Sequence, residues 1–218
     1  MNGSPHIVSD VMTHTVAAIG RGAGFKEIVR LMEQWRISAL PVVEGESRVI
    51  GVVSEADLLP KEEFRDHDPD RRTQLRRLGD LAKAGGVTAE DLMTSPAVTV
   101  RANATLAQAA RVMARAKVKR LPVVDELGGL EGVVSRGDLL KVFLRGDEDI
   151  AEEVRREVVA RLFHASPAAV RVEVRDGVVT LSGRVRDTTL VPVAARLARG
   201  VEGVVDVGFD LTGPEGRP

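Results

Sequence analysis

Two serine–aspartate pairs in this chain have a spacing that suits both a helix cap and a nucleotide site. Ser54 and Asp57 lie in the segment GVVSEADLL, and Ser135 and Asp138 lie in GVVSRGDLL, 81 residues later. A serine followed three residues later by an acid, just before an apolar helix, is close to a capping box, in which side chains satisfy free backbone N–H groups. The same N–H groups favour a bound phosphate, and a carboxylate one turn into the helix can accept hydrogen bonds from two ribose hydroxyls. The local pattern leaves both interpretations open.

The two pairs belong to an internal repeat. Residues 7–59 align without gaps on residues 88–140, and 17 of the 53 aligned positions are identical. The shared segments are DVMT or DLMT near the start, LPVV in the middle and the serine–aspartate segment at the end. Two copies of one supersecondary unit are the simplest explanation of this match.

Each repeat is predicted to have the element order β-α-β-β-α. A short helical turn ends in Met-Thr, and a first strand follows at about 15–19 and 96–100. LPVV is a fully apolar second strand whose proline fits a strand start or edge. VIGVV or LEGVV is the third strand, and a helix begins at the serine. The helix between the first two strands has apolar residues at helical spacing, namely Phe25, Ile28, Val29 and Met32 in the first repeat and Leu106, Ala109, Ala110 and Met113 in the second.

The segment between the repeats, 60–87, is dense in both charge signs and ends in Gly-Gly, which predicts a helix-containing surface connection. Within it, DHDPD at 66–70 is similar to the start of a calcium loop, but the sixth place lacks glycine and the twelfth is Arg77 rather than glutamate. The four histidines lack the spacing of metal ligands. We therefore expect a solvated charged loop over 61–77 and predict no metal site.

The pattern changes after residue 146 and predicts a separate α-β-β-α-β domain over 149–213. VRVEVRDGVVTLSGRV alternates on both sides of Asp-Gly, the strongest short-range signal for a hairpin. A helix with proline in its first turn follows, and VVDVGFDL is the last strand. The helix before the hairpin has an apolar residue every four positions along one face, at Ile150, Val154, Val158 and Leu162.

Composition excludes several classes of protein. The 31 basic and 32 acidic residues interleave to a net charge of −1 and aromatic residues make up 3% of the chain, so no nucleic-acid partner is expected. The absence of cysteine excludes disulfides and thiolate chemistry, and no residues have the arrangement of a catalytic acid–base set. No apolar run approaches the roughly 20 residues that span a bilayer, and the first residues do not resemble a secretory signal. We expect a cytoplasmic, non-enzymatic protein without a cofactor.

The repeats resemble the CBS domain family in their tandem β-α-β-β-α units, their DxMT start, their central LPVV and their final GVVSxxDLL. The resemblance covers roughly residues 7–145. It implies an α+β fold in which the two repeats pack through their sheets into a pseudo-twofold module, with adenosine-containing ligands in the clefts between them. It also implies that the hydroxyls of Ser54 and Ser135 face phosphate, that Asp57 and Asp138 bind ribose, and that adenine lies between the first strand and the LPVV strand.

The two clefts are predicted to differ in their affinity for phosphate. The second repeat, 88–145, has basic residues at three positions where the first repeat, 7–59, has serine, alanine and Glu55. Because basic neighbours attract a phosphate and an acidic one opposes it, we expect the main site in the second repeat; basic side chains that are simply solvated are the alternative. The residues expected in this preferred site are Ala97, Val98, Lys119, Arg120, Leu121, Pro122, Ser135, Arg136 and Asp138. Those expected in a second, weaker site are Val16, Ala17, Ala39, Pro41, Ser54 and Asp57.

Residues 149–213 resemble the BON family in their α-β-β-α-β order, in RDGVVTLSGRV with Gly177 and Gly183, and in GVEGVVDV before the last strand. That family is associated with binding of membrane phospholipids or macromolecules, which implies a protein partner or a membrane surface for this domain. From the residues alone, Gly177 is a turn residue and Gly183 marks a bulge or a close helix approach.

These features favour a non-catalytic regulator that binds AMP, ADP or ATP between the CBS repeats and passes its state on through the BON domain. A constitutive homodimeric scaffold that binds no small molecule is the alternative, in which each serine–aspartate pair is only a cap. A homodimer is expected, because the helices of the repeats carry apolar faces that one chain does not fully cover. These faces are formed by Phe25, Ile28 and Met32, by Leu58 and Leu59, and by Leu139, Leu140 and Phe143.

Overall fold

The apolar LPVV segment forms the middle strand of a three-stranded sheet in each repeat. The structure, a computed structural model, describes residues 6–65, 71–164 and 167–213. It divides into two compact units, one formed by residues 7–139 and one formed by residue 6 and the residues from 140 onward. Helices and three-stranded sheets occur in both units, so the α+β fold class is confirmed.

The repeats follow the predicted element order. The first repeat comprises α1 (Val8–Val11), β1 (Ile19–Gly20), α2 (Phe25–Trp35), β2 (Ala39–Glu44), β3 (Arg48–Ser54) and α3 (Glu55–Leu58). The connection contains α4 (Pro60–Glu63), α5 (Arg71–Arg76) and α6 (Leu78–Gly85). The second repeat comprises α7 (Ala89–Leu92), β4 (Val100–Arg101), α8 (Leu106–Ala116), β5 (Arg120–Val124), β6 (Leu130–Ser135) and α9 (Arg136–Leu140), followed by a 3₁₀ turn, Lys141–Leu144. The sheet orders are β1-β2-β3 and β4-β5-β6, each with a parallel pair and an antiparallel pair.

The predicted first strands, 15–19 and 96–100, are wrong in length. Only β1 and β4, two residues each, pair with the middle strands, at Val42–Val43 and Val123–Val124. The residues before β1 and β4 do not continue the parallel pairing with the middle strand. The segment that leads into each of these strands starts at a threonine that is paired with the third strand of the other repeat.

Backbone pairing between the repeats explains this difference. Thr94, which precedes β4, exchanges two hydrogen bonds with Val52 of β3, at 2.9 and 3.1 Å. Thr13, which precedes β1, exchanges two with Val133 of β6, at 2.9 and 3.0 Å. Each sheet is therefore extended by a threonine of the other repeat, and the residues after that threonine start from the other repeat's third strand.

The same pairing explains how proline is accommodated in the middle strand. Pro41 lies opposite Val52 in the β2–β3 pair, but the N–H and C=O groups of Val52 are both bonded to Thr94. Pro41 and Val52 therefore form a non-hydrogen-bonded pair, which needs no N–H from Pro41. On the other side of β2, β1 pairs only with Val42 and Val43, so the strand has an open edge beside Pro41, where proline is tolerated.

The amphipathic helices α2 and α8 lie where the apolar periodicity predicts them. Val29 and Ala110, however, remain exposed, so the buried face of each helix is narrower than the pattern indicates. The buried residues of the predicted faces are Ile28, Met32, Leu106, Ala109 and Met113.

The connection is helical on both sides of residues 66–70, which, with the DHDPD motif, lie outside the described residues. In the described part, the predicted loop over 61–77 is wrong, because α4 and α5 form there, although most of its charged side chains are exposed as predicted. The Nζ of Lys61 donates to the carbonyl oxygen of Ala84 at 2.8 Å, and Arg77 donates two hydrogen bonds to Glu63. The hydrogen bond from Arg77 lowers the pKa of the Glu63 carboxyl. Helix α6 is thereby held against α4.

The second unit has the predicted α-β-β-α-β order. Its elements are α10 (Asp147–Val154), a π-helical turn (Arg155–Val159), α11 (Ala160–Leu162), β7 (Val170–Arg175), β8 (Val178–Arg184), α12 (Val191–Ala198) and β9 (Asp206–Thr212), with 3₁₀ turns at Pro167–Ala169 and Thr188–Leu190. Ile150, Val154 and Val158 are buried as predicted. Asp176 and Gly177 both have positive φ, 49° and 74°, as a type I′ hairpin turn requires. Strand β9 pairs in parallel with β8 and completes the sheet.

Candidate functional site

A cleft between the repeats, beside the start of α3, encloses a cavity of about 270 Å³. This volume lies close to the lower end of the range found for small-molecule sites. The first repeat contributes Ser38, Ala39, Val52, Ser54, Glu55 and Asp57 to its lining. The second repeat contributes Thr94, Ala97, Val98, Lys117, Lys119 and Arg120. We call this site the Asp57 cleft.

The pairing of Val52 with Thr94 places second-repeat residues in the Asp57 cleft. It fixes the chain at Thr94 against the strand that ends at Ser54, and Ala97 and Val98 follow three and four residues later. Lys119 and Arg120 reach the same cleft from the start of β5.

The predicted grouping of site residues is therefore wrong. The sequence groups Ala97, Val98, Lys119 and Arg120 with Ser135 and Asp138, but they line the cleft of Ser54 and Asp57. Two of the three basic residues that favour the second-repeat site, Lys119 and Arg120, thus belong to the site predicted to be weaker. The physical reason is that each cleft combines the serine–aspartate pair of one repeat with the first segment of the other.

The remaining predicted residues lie outside the lining of the Asp57 cleft. Leu121 and Pro122 are buried in β5, and Pro41 is buried in β2. Val16 and Ala17 are partly buried and follow Thr13, whose pairing with Val133 places this segment beside the strand that ends at Ser135.

The carboxylate of Asp57 is hydrogen-bonded on both oxygens. Its Oδ2 accepts the backbone N–H of Ser54 at 2.7 Å and the Ser54 hydroxyl at 2.6 Å. Its Oδ1 accepts the Thr94 hydroxyl at 3.3 Å and an ion-pair hydrogen bond from Nζ of Lys83. The Asp57 side chain is only 12% exposed, so these donors replace most of the water that would otherwise solvate the charge.

Asp138 repeats the local part of this arrangement. It accepts the backbone N–H of Ser135 at 2.9 Å and the Ser135 hydroxyl at 2.6 Å, and its own N–H donates to the Ser135 oxygen at 3.3 Å. Arg136, which was expected to face phosphate, is exposed and donates Nε–H to the carbonyl oxygen of Val118 at 3.2 Å. Both aspartates therefore accept the N–H and hydroxyl of their serine, as in a helix cap, and at Asp138 the N–H also donates back to the serine oxygen.

Two basic residues near the Asp57 cleft could not be found from the repeat pattern. Lys117 ends α8 in the left-handed conformation, with φ 56°, and lines the cleft. Lys83 lies in the connecting helix α6, 26 residues from its partner Asp57. Arg120 donates to the Ser38 hydroxyl of the other repeat, which links the two sides of the cleft. Nothing in the local sequence indicates the contact of Lys83.

Within residues 6–65, 71–164 and 167–213, no three His, Cys, Asp or Glu side chains are grouped to hold a metal ion. Over the same residues, no helix has both the length and the apolar character needed to cross a membrane.

Comparison with known proteins places the chain among CBS proteins. The CBS domain model matches residues 8–61 and 89–145, and the BON domain model matches residues 146–212. Protein MJ1426 of Methanocaldococcus jannaschii is 26% identical over 66% of this chain and 95% of its own length. CBS domain-containing protein CBSX2 of Arabidopsis thaliana is 30% identical, but this chain spans only 64% of its length.

The fold agrees with this comparison. The crystal structure of CBSX2 in complex with AMP superposes with a TM-score of 0.56 at 30% identity, covering 64% of this chain and 97% of that one. The matched part is the size of the CBS pair. The chain belongs to the CBS domain family and consists of two CBS domains in tandem followed by a BON domain.

Proposed function

We propose that this protein is a cytoplasmic, non-catalytic regulator that binds an adenine nucleotide, AMP, ADP or ATP, in the Asp57 cleft. The BON domain would relay the state of the CBS pair to a protein partner or a membrane surface. The observation that carries the proposal is the composition of the cleft, which combines an apolar lining, a carboxylate that is only 12% exposed and a group of cations in one cavity.

Each part of a nucleotide has a matching surface in the Asp57 cleft. The apolar side chains of Val52, Ala97 and Val98 suit the faces of an adenine ring. Asp57 is an acceptor for ribose hydroxyls, and the cations Lys119 and Arg120 suit a phosphate. The solved complex of the related CBSX2 with AMP supports this ligand class.

A second, weaker site is proposed at the other serine–aspartate pair. Ser135 and Asp138 repeat the geometry of Ser54 and Asp57, and Arg136 is the basic residue next to them in sequence. Val16 and Ala17 would supply the apolar contacts there, by analogy with Ala97 and Val98 in the Asp57 cleft.

The scaffold alternative also has an observation in its favour. Asp57 accepts two hydrogen bonds from Ser54, and Asp138 accepts two from Ser135, without any ligand. A protein in which these residues serve only as caps would keep the same fold and would bind no nucleotide.

Thermal unfolding in the presence of AMP, ADP and ATP separates the two candidates. A ligand at 100 times its Kd stabilises the folded state by about 2.7 kcal/mol, so we expect at least one of the three to raise the Tm by several degrees. Guanosine monophosphate serves as the control for a general effect of phosphate. No shift with any adenine nucleotide at millimolar concentration would favour the scaffold.

The proposed homodimer has a separate test. Ile28, Met32 and Leu139 are buried within one chain, but large apolar side chains elsewhere on the helices stay exposed. Among them are Val29 at 43%, Trp35 at 47%, Phe143 at 50%, Leu140 at 61% and Leu59 at 64%. We expect light scattering at micromolar concentration to give about twice the chain mass of 23.4 kDa, with or without nucleotide, because such surfaces mark interfaces. A measured mass equal to that of one chain would contradict the dimer.

The relay through the BON domain rests on a smaller surface. Val193 and Leu197 of α12 are 44% and 41% exposed and lie four residues apart, so they share one face of the helix. We propose this apolar pair as the surface through which the BON domain contacts its partner.

A further inference from the structure

Lys83 brings a charge from the connecting helix to Asp57 and Thr94, two residues that line the Asp57 cleft. Its Nζ donates to Oδ1 of Asp57 and to the hydroxyl of Thr94, the latter at 3.1 Å. The side chains of Lys83 and Asp57 are 21% and 12% exposed, so this is a largely buried ion pair. Lys83 belongs to neither repeat, and the repeat alignment gives it no counterpart among the described residues.

The hydrogen bonds of Asp57 leave no room for a ribose. An ionised carboxylate has about four acceptor positions, two on each oxygen. Ser54 fills the two on Oδ2 through its N–H and its hydroxyl. Lys83 and Thr94 fill the two on Oδ1. A ribose that donates from its 2′ and 3′ hydroxyls must therefore displace two of these four donors.

The donors on Oδ1 are the ones that can leave. The Ser54 donors are three residues from Asp57 and form part of the start of α3, so their loss would disrupt the helix end. The Thr94 contact is long, at 3.3 Å. The ammonium group of Lys83 lies at the end of a flexible four-carbon side chain, so it can move away without a change in the backbone.

We propose that Lys83 determines the specificity of the Asp57 cleft by occupying the ribose position, so that a ligand binds only if its vicinal hydroxyls displace the lysine. This inference rests on the proposed nucleotide function. It implies that the binding free energy is reduced by the loss of the Lys83–Asp57 hydrogen bond, and that only ligand groups facing Asp57 cause this loss. It also implies that an occupied cleft frees Lys83 and loosens α6, so that the connecting helix reports the state of the site.

Substitution of Lys83 by methionine tests the competition directly. Methionine keeps an unbranched side chain of similar length but has no charge and no donor. Lys61→Met is the matched control, because Lys61 also lies in the connection and contacts α6, at the carbonyl of Ala84, but does not contact Asp57. The ligands are adenosine and 2′,3′-dideoxyadenosine, which differ only in the two hydroxyls, and calorimetric titration gives their affinities for the wild-type protein and both variants.

We expect Lys83→Met to bind adenosine more tightly than wild type by on the order of 5- to 10-fold, as removal of a charge-assisted competitor predicts. Its affinity for dideoxyadenosine, and the affinities of Lys61→Met for both ligands, should stay within about twofold of wild type. Weaker adenosine binding by Lys83→Met, or an equal gain for both ligands, would overturn the role of Lys83 while leaving the nucleotide site intact. If neither wild type nor Lys83→Met binds adenosine or AMP, the proposed function fails, and the inference fails with it.

Amide hydrogen exchange supplies a second readout that does not depend on affinity. In the wild-type protein, saturation with AMP should speed exchange in α6, residues 78–85, because Lys83 is released. In Lys83→Met the helix has already lost this contact, so AMP should leave its exchange unchanged. Slower exchange of α6 in wild type on addition of AMP would contradict displacement of the lysine.

Discussion

Asp57→Ala is expected to weaken the binding of AMP by roughly 10-fold or more. A carboxylate that accepts two ribose hydroxyls makes charge-assisted hydrogen bonds worth about 1.5–3 kcal/mol in total, which corresponds to roughly 10- to 150-fold in affinity. In wild type part of this gain is offset by displacement of Lys83, so the loss lies toward the lower end of the range. Calorimetric titration of AMP into wild type and variant measures it directly.

Asp138→Ala is the matched control for this change. It removes an aspartate with the same serine partner and the same position in its helix, so the cap it loses is equivalent. Loss of such a cap costs about 0.5–2 kcal/mol of stability, and thermal unfolding should confirm that both variants remain folded. We expect Asp138→Ala to change the overall AMP affinity by less than about threefold, because Lys119 and Arg120 lie in the other cleft. A larger loss of AMP affinity in Asp138→Ala than in Asp57→Ala would contradict this expectation and would make the second-repeat site the main one, as the sequence alone predicts.

A double-mutant cycle tests together whether Asp57 binds the ribose and whether Lys83 competes with it. In the Lys83→Met background the ribose no longer competes with a cation, so Asp57→Ala should cost more there than in wild type. The difference between the two losses is the coupling between Asp57 and Lys83 in the presence of ligand. Equal losses in both backgrounds would show that the lysine and the ribose do not share Oδ1.

The elements of the CBS pair were predictable because their signals are local. The apolar period of 3.6 residues located α2 and α8, and the LPVV runs located the middle strands. The grouping of the cleft was not predictable, because it depends on the pairing of Thr94 with Val52, a contact that spans 42 residues of chain. Sequence similarity between repeats assigns each residue to its own copy, whereas the pairing exchanges the first segments between copies.

The contact of Lys83 with Asp57 was not predictable either, because it also depends on contacts between distant parts of the chain. The sequence predicts a helix-containing surface connection over 60–87 with a solvated charged loop, and it indicates no partner for Lys83, since lysines and acids there have no periodic pattern. The position of α6 is decided by interactions with α4, such as those of Lys61 and Arg77. These interactions join residues 14 and 23 positions apart, so no single window of sequence contains them.

In the BON domain, the prediction of a turn at Gly177 is confirmed, because the turn geometry itself requires a residue that tolerates positive φ. Asp-Gly at 176–177 predicted a hairpin turn, and both residues have the positive φ that this turn needs. Gly183 was predicted to mark a bulge or a close helix approach. The structure shows a close approach of backbone, from the end of the 3₁₀ turn at Ala169, with Gly183 in the ladder opposite Val170.

Gly183→Ala is expected to destabilise the BON domain by about 3 kcal/mol or more. Gly183 has φ 126°, a region that residues with a Cβ atom rarely adopt, and an added Cβ would lie 2.0 Å from the carbonyl oxygen of Ala169. The contact is with backbone, so neither strand can relax without loss of the β7–β8 pairing. Gly208→Ala is the control in the neighbouring strand, because its nearest atoms would be 3.9 Å from the new Cβ, and its effect should stay below about 1 kcal/mol.

The chain offers a way to follow the two units separately in this experiment. Trp35 is its single tryptophan and lies in α2 of the first repeat, so its fluorescence reports unfolding of the CBS pair, whereas far-ultraviolet circular dichroism reports both units. In Gly183→Ala we expect part of the dichroism signal to be lost at lower urea, while the Trp35 transition stays where it is in wild type. AMP affinity should stay within a few-fold, because every residue that lines the Asp57 cleft lies within 7–139. A Trp35 transition that shifts together with the dichroism would mean that the two units unfold as one, and nucleotide binding would then depend on the BON domain through stability.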